Sequence, residues 1–363
     1  MAISKIDSDG IVSGGITADS LNIGQIGGRR NLIINGAMQV AQRGTSAITG
    51  NGYAVDRFYG SKFATDQLAH SIQQVSDSPD DFSYSLKYTV TTAEEVMEAT
   101  ENVPFYHNIE GFNTAHLNLG TASAKTFTLS FYVKSSLTGT FGGAFQNGAT
   151  DRSYPFTYTI SAADTWERKT VTIAGDTSGT WIGATNGVGL RVYFSMGAGP
   201  TRLGTAGAWA SDNYTGATGQ TQVTETLNAT WQITGVQLEV GSVATPFEHR
   251  SYGEELALCQ RYCWRPITAG NQDLSIGWYY SSSHMSSILP FPTTMRASPT
   301  MSAGSGYNFY RSGGADGFST LTLEQANTNN ALLLNASEMG GTAGQAGLIR
   351  SAASTSVIFS AEL

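Results

Sequence analysis

Thr126-Phe127-Thr128-Leu129-Ser130-Phe131-Tyr132-Val133 alternates polar and apolar residues without a break. A period of two puts Phe127, Leu129, Phe131 and Val133 on one face of an extended strand, facing a core, with the intervening side chains turned away. The same texture returns in Tyr84-Ser-Leu86-Lys-Tyr88-Thr-Val90, in Arg168 to Ile173, in Leu190-Arg-Val192-Tyr-Phe194 and in Ala229 to Val240. Asn31-Leu32-Ile33-Ile34-Asn35 is a short apolar run closed by Asn-Gly and reads as a further strand. Gly, Asn and Asp turns separate these runs, and no amphipathic helix intervenes. The fold class predicted is therefore all-β, an antiparallel jelly-roll or β-sandwich over residues 31–250.

The texture changes at residue 251. Ser251-Tyr-Gly-Glu254 has the spacing of a capping box, and Glu254 and Glu255 suit the positive end of a helix. Leu256, Leu258, Cys259, Tyr262 and Cys263 recur at three-to-four spacing, which predicts a connecting helix over 252–263, stopped before Pro266. On that helix Cys259 and Cys263 would lie on one face with parallel side chains. That geometry strains a disulfide, and no further metal ligands stand nearby, so both read as small buried hydrophobes. Residues 266–363 return to β texture, as in Leu274-Ser-Ile276-Gly-Trp278-Tyr-Tyr280, and predict a second small C-terminal β domain whose core an oligomer would complete.

Composition narrows the function classes. Length suits two or three domains, at 363 residues. Charged residues are 13% of the chain, against about 25% in average domains. The net charge of −8, with no basic cluster longer than Arg29-Arg30, speaks against a nucleic-acid partner. The start, MAISKIDSDGIVSGG, lacks a basic region followed by an apolar run, and no apolar stretch approaches the ~18 residues of a membrane span. The expectation is synthesis in a cytosol without membrane insertion. An uncharged surface rich in hydroxyls and amides is common on proteins that bind neutral glycans outside cells. A virus particle released by lysis reconciles that surface with the missing export signal. In residues 1–30 the apolar Ile11, Ile16, Leu21, Ile23 and Ile26 are too dispersed to fold alone. This segment reads as an attachment arm, ordered by copies of itself or by a docking partner, or as a free tail.

Several segments together resemble a known family. Asn31-Leu-Ile-Ile-Asn-Gly-Ala-Met-Gln, followed by Tyr53-Ala-Val-Asp-Arg-Phe58, resembles the opening of the ligand-binding sandwich in phage tail fibre proteins. Trp231 to Ser242, then Pro246-Phe-Glu-His-Arg250, resembles its end, and Glu254 to Tyr262 resembles the helix that follows. Phe127 to Val133 and Thr165 to Ile173 resemble core strands of carbohydrate-binding modules of the xylanase-associated type. Pro292-Thr-Thr-Met-Arg-Ala-Ser-Pro299 also recurs after such helices. The resemblance implies a virion tail appendage, a homotrimer that joins other tail proteins through residues 1–30 and contacts host-surface polysaccharide. It also implies a structural calcium at the sandwich edge, for which Asp56 and Glu239 fall in the matching segments, although lone carboxylates are commonly caps or salt-bridge partners; no other cofactor is expected.

No HExxH, CxxC, GxSxG or phosphate-loop pattern is present. The loop acids Asp151, Asp164, Glu167, Asp176 and Asp212 show no spacing that selects a glycosidase pair. The chain therefore reads as a binder and not an enzyme. A polysaccharide-degrading tailspike and a purely architectural fibre remain as alternatives. Sugar binding asks for aromatic faces beside amides and hydroxyls. The loop Gly204 to Gly216 offers Trp209, Asp212, Asn213 and Tyr214, and Trp181 beside Asn186 is a further candidate. Trp166 and Trp231 sit within strand patterns and are expected in the core. Trp278, Tyr279 and Tyr280 read equally as contacts at a tip or as a core strand.

Overall fold

The computed structural model describes residues 29–363 apart from 336, 353 and 354, so the attachment arm predicted over residues 1–30 lies outside the described residues but for Arg29 and Arg30. The described chain forms two units, residues 29–41 with 45–250, and residues 42–44 with 251–363.

The first unit contains β1 (Ile48–Thr49), β2 (Gly52–Val55), β3 (Phe58–Gly60), β4 (Ala69–Val75), β5 (Ser85–Thr92), β6 (Asn102–Glu110), the single turn α1 (Gly111–Thr114), β7 (Phe127–Ser135), β8 (Gly139–Gln146), β9 (Ser153–Ile160), β10 (Glu167–Ile173), β11 (Val188–Ala198), β12 (Leu203–Gly204), β13 (Gly216–Ala217) and β14 (Thr230–Val240). Two six-stranded sheets result, in the orders β1-β4-β5-β14-β7-β10 and β2-β3-β6-β11-β8-β9. Their ladders are antiparallel, and the short pair β12–β13 is parallel. This is the all-β sandwich that the alternation predicts. Phe127, Leu129, Phe131 and Val133 are all fully buried, in one core with Phe105, Phe145 and Phe194 from the other sheet.

Trp231 lies in this core, 1% exposed, and its indole N–H donates to the Tyr158 hydroxyl at 3.0 Å. Trp166 does not. It stands one residue before β10, outside the period that turns side chains inward. Its ring is half-buried, its N–H donates to Asp77 at 3.3 Å, and the Lys134 ammonium sits 5.3 Å from the ring centre.

Residues 31–35 are buried as expected but form no strand. A register break in β14 between Thr234 and Gln237 leaves ladder groups for them. Asn31 supplies the pairing with its side chain, donating to the Val236 carbonyl at 3.1 Å and accepting from the Leu238 amide at 3.0 Å. A side-chain amide carries the same donor and acceptor as a peptide group, so it can stand in for one.

Two histidines are buried in this unit. His107 is fully buried with Nε2 3.1 Å from the Ile34 carbonyl, and burial holds its imidazole well below the usual range. Burial also lowers His70 to about 4, partly opposed by its bond to the Gly50 carbonyl. The unfolded chain binds more protons than the folded one below about pH 6.5. Stability of this unit is thus fully present above pH 6.5 and falls as the pH drops towards 4. Thermal midpoints are expected to decline between pH 7 and pH 5, before most carboxylates titrate, with a shallower decline in His107→Asn. A wild-type midpoint flat over that interval would contradict this.

The second unit opens with α2 (Tyr252–Gln260), where the Ser251 hydroxyl accepts from the Glu254 amide at 3.3 Å. The helix stops short of its predicted end. Cys263 begins β15 (Cys263–Ile267), so the two cysteines sit on different elements, both buried and not joined by a disulfide. Pro266 lies inside β15, at a register break between Trp264 and Ile267, where no ladder donor is required. The remaining strands are β16 (Asp273–Tyr279), β17 (Met285–Pro290), β18 (Thr300–Ala303), β19 (Tyr307–Arg311), β20 (Gly314–Phe318), β21 (Thr322–Ala326), β22 (Asn330–Asn335), β23 (Ala346–Ser351) and β24 (Val357–Ser360). They form a seven-stranded sheet, β20-β19-β23-β16-β17-β22-β21, and a three-stranded one, β15-β24-β18. Both contribute to one core that includes Ile267, Tyr279, Phe309, Leu333, Ile349 and Phe359. This unit therefore closes a core within one chain, contrary to the expectation that an oligomer completes it.

Candidate functional site

The strands β2, β3, β6 and β11 each carry a tyrosine on the face of their sheet that points away from the core. Phe58, Phe105 and Phe194 are buried, so their neighbours Tyr59, Tyr106 and Tyr193 must point outwards. Register then aligns them: Tyr53 pairs with Tyr59, Tyr59 with Tyr106, and Tyr106 with Tyr193. Neighbouring ring centres lie 4.8, 5.4 and 5.3 Å apart. The row continues through Ala144 to Pro155, so it crosses all six strands. At ~4.8 Å per strand the four rings extend over roughly 15 Å, about the length of three sugar rings in an extended chain.

A polar row runs beside it, in the register Asn108, Arg191, Gln146, Ser153. Arg191 is fixed from two sides. Its Nε donates to Asn108 Oδ1, and Nη1 donates to the Tyr193 hydroxyl at 2.8 Å. Its guanidinium lies 5.4 Å from the Tyr106 ring centre and 5.6 Å from that of Tyr193, within range for cation–π attraction. Burial pushes the Tyr193 hydroxyl up, with Arg191 partly opposing, so the group keeps its proton at neutral pH.

The chain between β11 and β14 builds a wall on this face. Small residues on β8 allow it: a Cβ at Gly142 would stand 3.0 Å from the Ala217 nitrogen. Gln146 ties the wall down, donating to Asn213 Oδ1 at 2.7 Å and to the Tyr214 carbonyl at 2.9 Å. Between wall and tyrosines runs a groove of about 220 Å³, lined in part by Asn102, Pro104, Tyr106, Tyr193, Arg202 and Asn213. Phe63, 56% exposed, also lines it. The arrangement offers flat apolar rings, flanking amides, a guanidinium and hydroxyls, which is the chemistry that grips a sugar ring by its C–H face and its hydroxyl edge.

The residues predicted from the loop are divided by the fold. Asn213 reaches the groove. The Tyr214 ring lies over Gly204, and its hydroxyl bonds the Asp212 carboxylate, which raises the phenol above its usual range. Asp212 also accepts from the Asn213 amide at 2.8 Å. Trp209 turns the other way. It packs edge-on against Tyr154 and Trp181, at 5.4 and 5.6 Å between ring centres, and donates to the Ala174 carbonyl at 2.7 Å. Trp181 is half-buried and borders a separate edge groove of about 270 Å³ with Asn118, Leu119 and Ile182. The two tryptophans thus meet each other, packed on the core, and neither stands on the tyrosine face.

Of the two carboxylates expected at a calcium, Glu239 is turned to hydrogen-bond donors. Calcium wants six to eight oxygen ligands. Glu239 is fully buried and instead faces donors: Gln237 Nε2 and the Thr245 amide at 2.9 Å, the Thr245 hydroxyl at 2.7 Å and Arg30 at 3.5 Å. Asp56 is buried in a turn that Asn35 braces through the Asp56 carbonyl at 2.9 Å. Among the described residues, no group of three or more His, Cys, Asp or Glu could hold a metal ion. Of the loop acids, Asp164 is exposed, while Asp176, Asp151 and Glu167 are engaged. Arg152 grips Asp176 with two bonds of 2.7 and 2.8 Å, Asn147 donates to Asp151 at 2.6 Å, and Glu167 accepts from the Ser161 and Ala162 amides at 2.8 and 2.9 Å.

Sequence reasoning missed the tyrosine row, although its signal was present. Phe58-Tyr59, Phe105-Tyr106 and Tyr193-Phe194 each juxtapose an inward and an outward ring. The alignment of those pairs across strands depends on register, which one chain's local pattern does not give.

No family model matches the chain. No curated protein matches it. Among solved structures, it is similar to the enzymatically active domain of tailspike protein 4 from bacteriophage CBA120, at 14% identity and a TM-score of 0.33, covering 58% of this chain and 21% of that one. It is similar to a structure described as "CBM4 structure and function", at 13% identity and a TM-score of 0.30, covering 57% and 98%. It is also similar to a family 11 carbohydrate-binding module from Clostridium thermocellum, in complex with a mixed-linked tetrasaccharide, at 10% identity and a TM-score of 0.28, covering 54% and 98%.

Proposed function

We propose that the first unit is a non-catalytic glycan-binding module, carried on a homotrimeric virion appendage that attaches to host-surface polysaccharide. The observation that carries the glycan half is the aligned row Tyr53–Tyr59–Tyr106–Tyr193, flanked by Asn108, Arg191 and Gln146. An extended neutral polysaccharide laid across the strands meets the half-buried rings of Tyr53, Tyr59 and Tyr106, with the Arg191 guanidinium beside Tyr106, while the buried Tyr193, Asn108 and Gln146 hold these groups in place. Acidic polymers are not required, since Arg191 is already engaged by Asn108 and Tyr193. The virion half is supported by the tail-fibre-like segments at residues 31–58 and 231–262 and by the low charge of the chain. The absence of catalysis is supported by Asp176, Asp151 and Glu167, which are held by Arg152, Asn147 and backbone amides.

Incubating the full chain with an array of bacterial surface polysaccharides tests this reading. Binding to a neutral glycan without release of new reducing ends is the expected result. Release of reducing ends, abolished by changing one loop acid, would replace the reading with a depolymerase. Tight docking on particles with no glycan bound would favour an architectural fibre.

A further inference from the structure

The seven-stranded sheet of the second unit has one face in its core and one face outside. Alternation puts Ile276, Trp278, Ile288, Tyr310, Leu332, Leu334 and Leu348 outside, and none of them belongs to the core or packs against it. Two lateral rows result. In one, Tyr310 pairs with Leu348 and Leu348 with Ile276, while Ile288 pairs with Leu332. In the other, Ala346 pairs with Trp278, Trp278 with Ser286, and Ser286 with Leu334. Ile276 and Tyr280 are each 73% exposed, Ile288 54% and Tyr310 41%. An outward sheet face in water ordinarily alternates to polar residues. This one does not.

We infer that the outward face of the seven-stranded sheet is the surface through which copies of this chain associate. Three observations select a second copy as the occupant. The first is area. At ~200 Å² for a large apolar side chain, the four exposed residues alone present roughly 500 Å². With the half-buried Trp278, Leu332, Leu334 and Leu348, the face approaches the ~800 Å² per partner of a standard interface. The second is charge. Arg350 on this face pairs with Asp273 at 2.6 Å and lies 5.1 Å from the Tyr310 ring centre, so it asks for no counter-charge on the partner. An apolar, internally neutralised surface matches another of its kind, and the chain itself supplies one. The third is relief. The exposed Tyr280 stands out at the end of β16, and Ile276, Tyr310 and Leu348 border a shallow, open depression on the same sheet. A surface that carries both can close on its own copy by symmetry.

The inference rests on the self-association proposed above and not on glycan binding. Sedimentation equilibrium and hydroxyl-radical footprinting of the full chain test it together. Wild type is expected to sediment as an oligomer, with Trp278, Tyr280 and Tyr310 labelled several-fold more slowly than after dilution to monomer. Ile276→Glu with Ile288→Glu is expected to sediment as a monomer that still unfolds cooperatively. Tyr106→Ala, on the other unit, is expected to keep the oligomer. A double variant that stays oligomeric overturns the inference. So does an oligomeric wild type whose Tyr280 and Tyr310 label at the monomer rate, a result that leaves self-association standing but moves it elsewhere and does not depend on how the variant folds. A monomeric wild type removes both the inference and the trimer.

Discussion

Tyr106→Ala is expected to weaken glycan binding by roughly 30-fold, about 2 kcal/mol, while leaving the fold intact. Tyr106 is the centre of the row, in contact with Tyr59 on one side and Tyr193 on the other. It also carries the Arg191 guanidinium over its ring. Removing it deletes one stacking face and slackens the group beside it. Because the ring is only half-buried, no core cavity is created. Tyr193→Phe isolates a different part of the site: it keeps the ring and removes the hydroxyl that accepts from Arg191 at 2.8 Å. Its effect should be smaller, several-fold. Isothermal titration against the bound polysaccharide measures both. Equal, negligible losses would mean the ligand lies elsewhere. By contrast Trp209→Ala, which removes a ring packed on Tyr154 and Trp181, should lower stability more than affinity.

The largest stability effect is expected from Trp231→Ala. Trp231 packs between the sheets, 5.6 Å from Phe194 and 6.3 Å from Phe105 by ring centres. Its removal costs the transfer energy of the ring and leaves a cavity, together typically 3–5 kcal/mol. It also strips the buried Tyr158 hydroxyl of its indole donor, which adds to the loss. Calorimetry should show one transition shifted down by many degrees and the transition of the second unit unmoved, because Trp231 belongs to the first core alone. A parallel shift of both transitions would contradict the division into two units.

How much of this was legible in the sequence depended on the range of the signal. The buried faces of β7 and β14 were readable because period two is a local property, and every inward residue of Phe127 to Val133 is buried. Residues 31–35 misled because burial and strand formation usually coincide, and here one backbone bond, from the Leu32 amide to the Leu238 carbonyl, is completed by the Asn31 side chain instead of a ladder. The helix end was misplaced because Cys263 continues the helical spacing while its backbone already pairs with Ser360 in β15. The site itself was half legible. Asn213 was found by residue type, and Trp209 was chosen because glycine and serine surround it, although Tyr154 and Trp181, distant in sequence, cover it. The tyrosine row required four strands to be placed side by side, and that order is set by tertiary packing. Ile276 and Trp278 share the period of the buried Leu274, and a register break between Asp273 and Ser275 turns them outward, so the apolar outer face of that sheet emerged only from the register.

The central claim is that polysaccharide lies along the tyrosine row. Determining the structure of the full chain with an oligosaccharide released from the bound polysaccharide tests it most directly. The account predicts sugar rings stacked on Tyr53, Tyr59 and Tyr106, the half-buried members of the row, with hydroxyls bonded to Arg191 and Asn213. Sugar seated in the edge groove beside Trp181, with the tyrosine face bare, would contradict it.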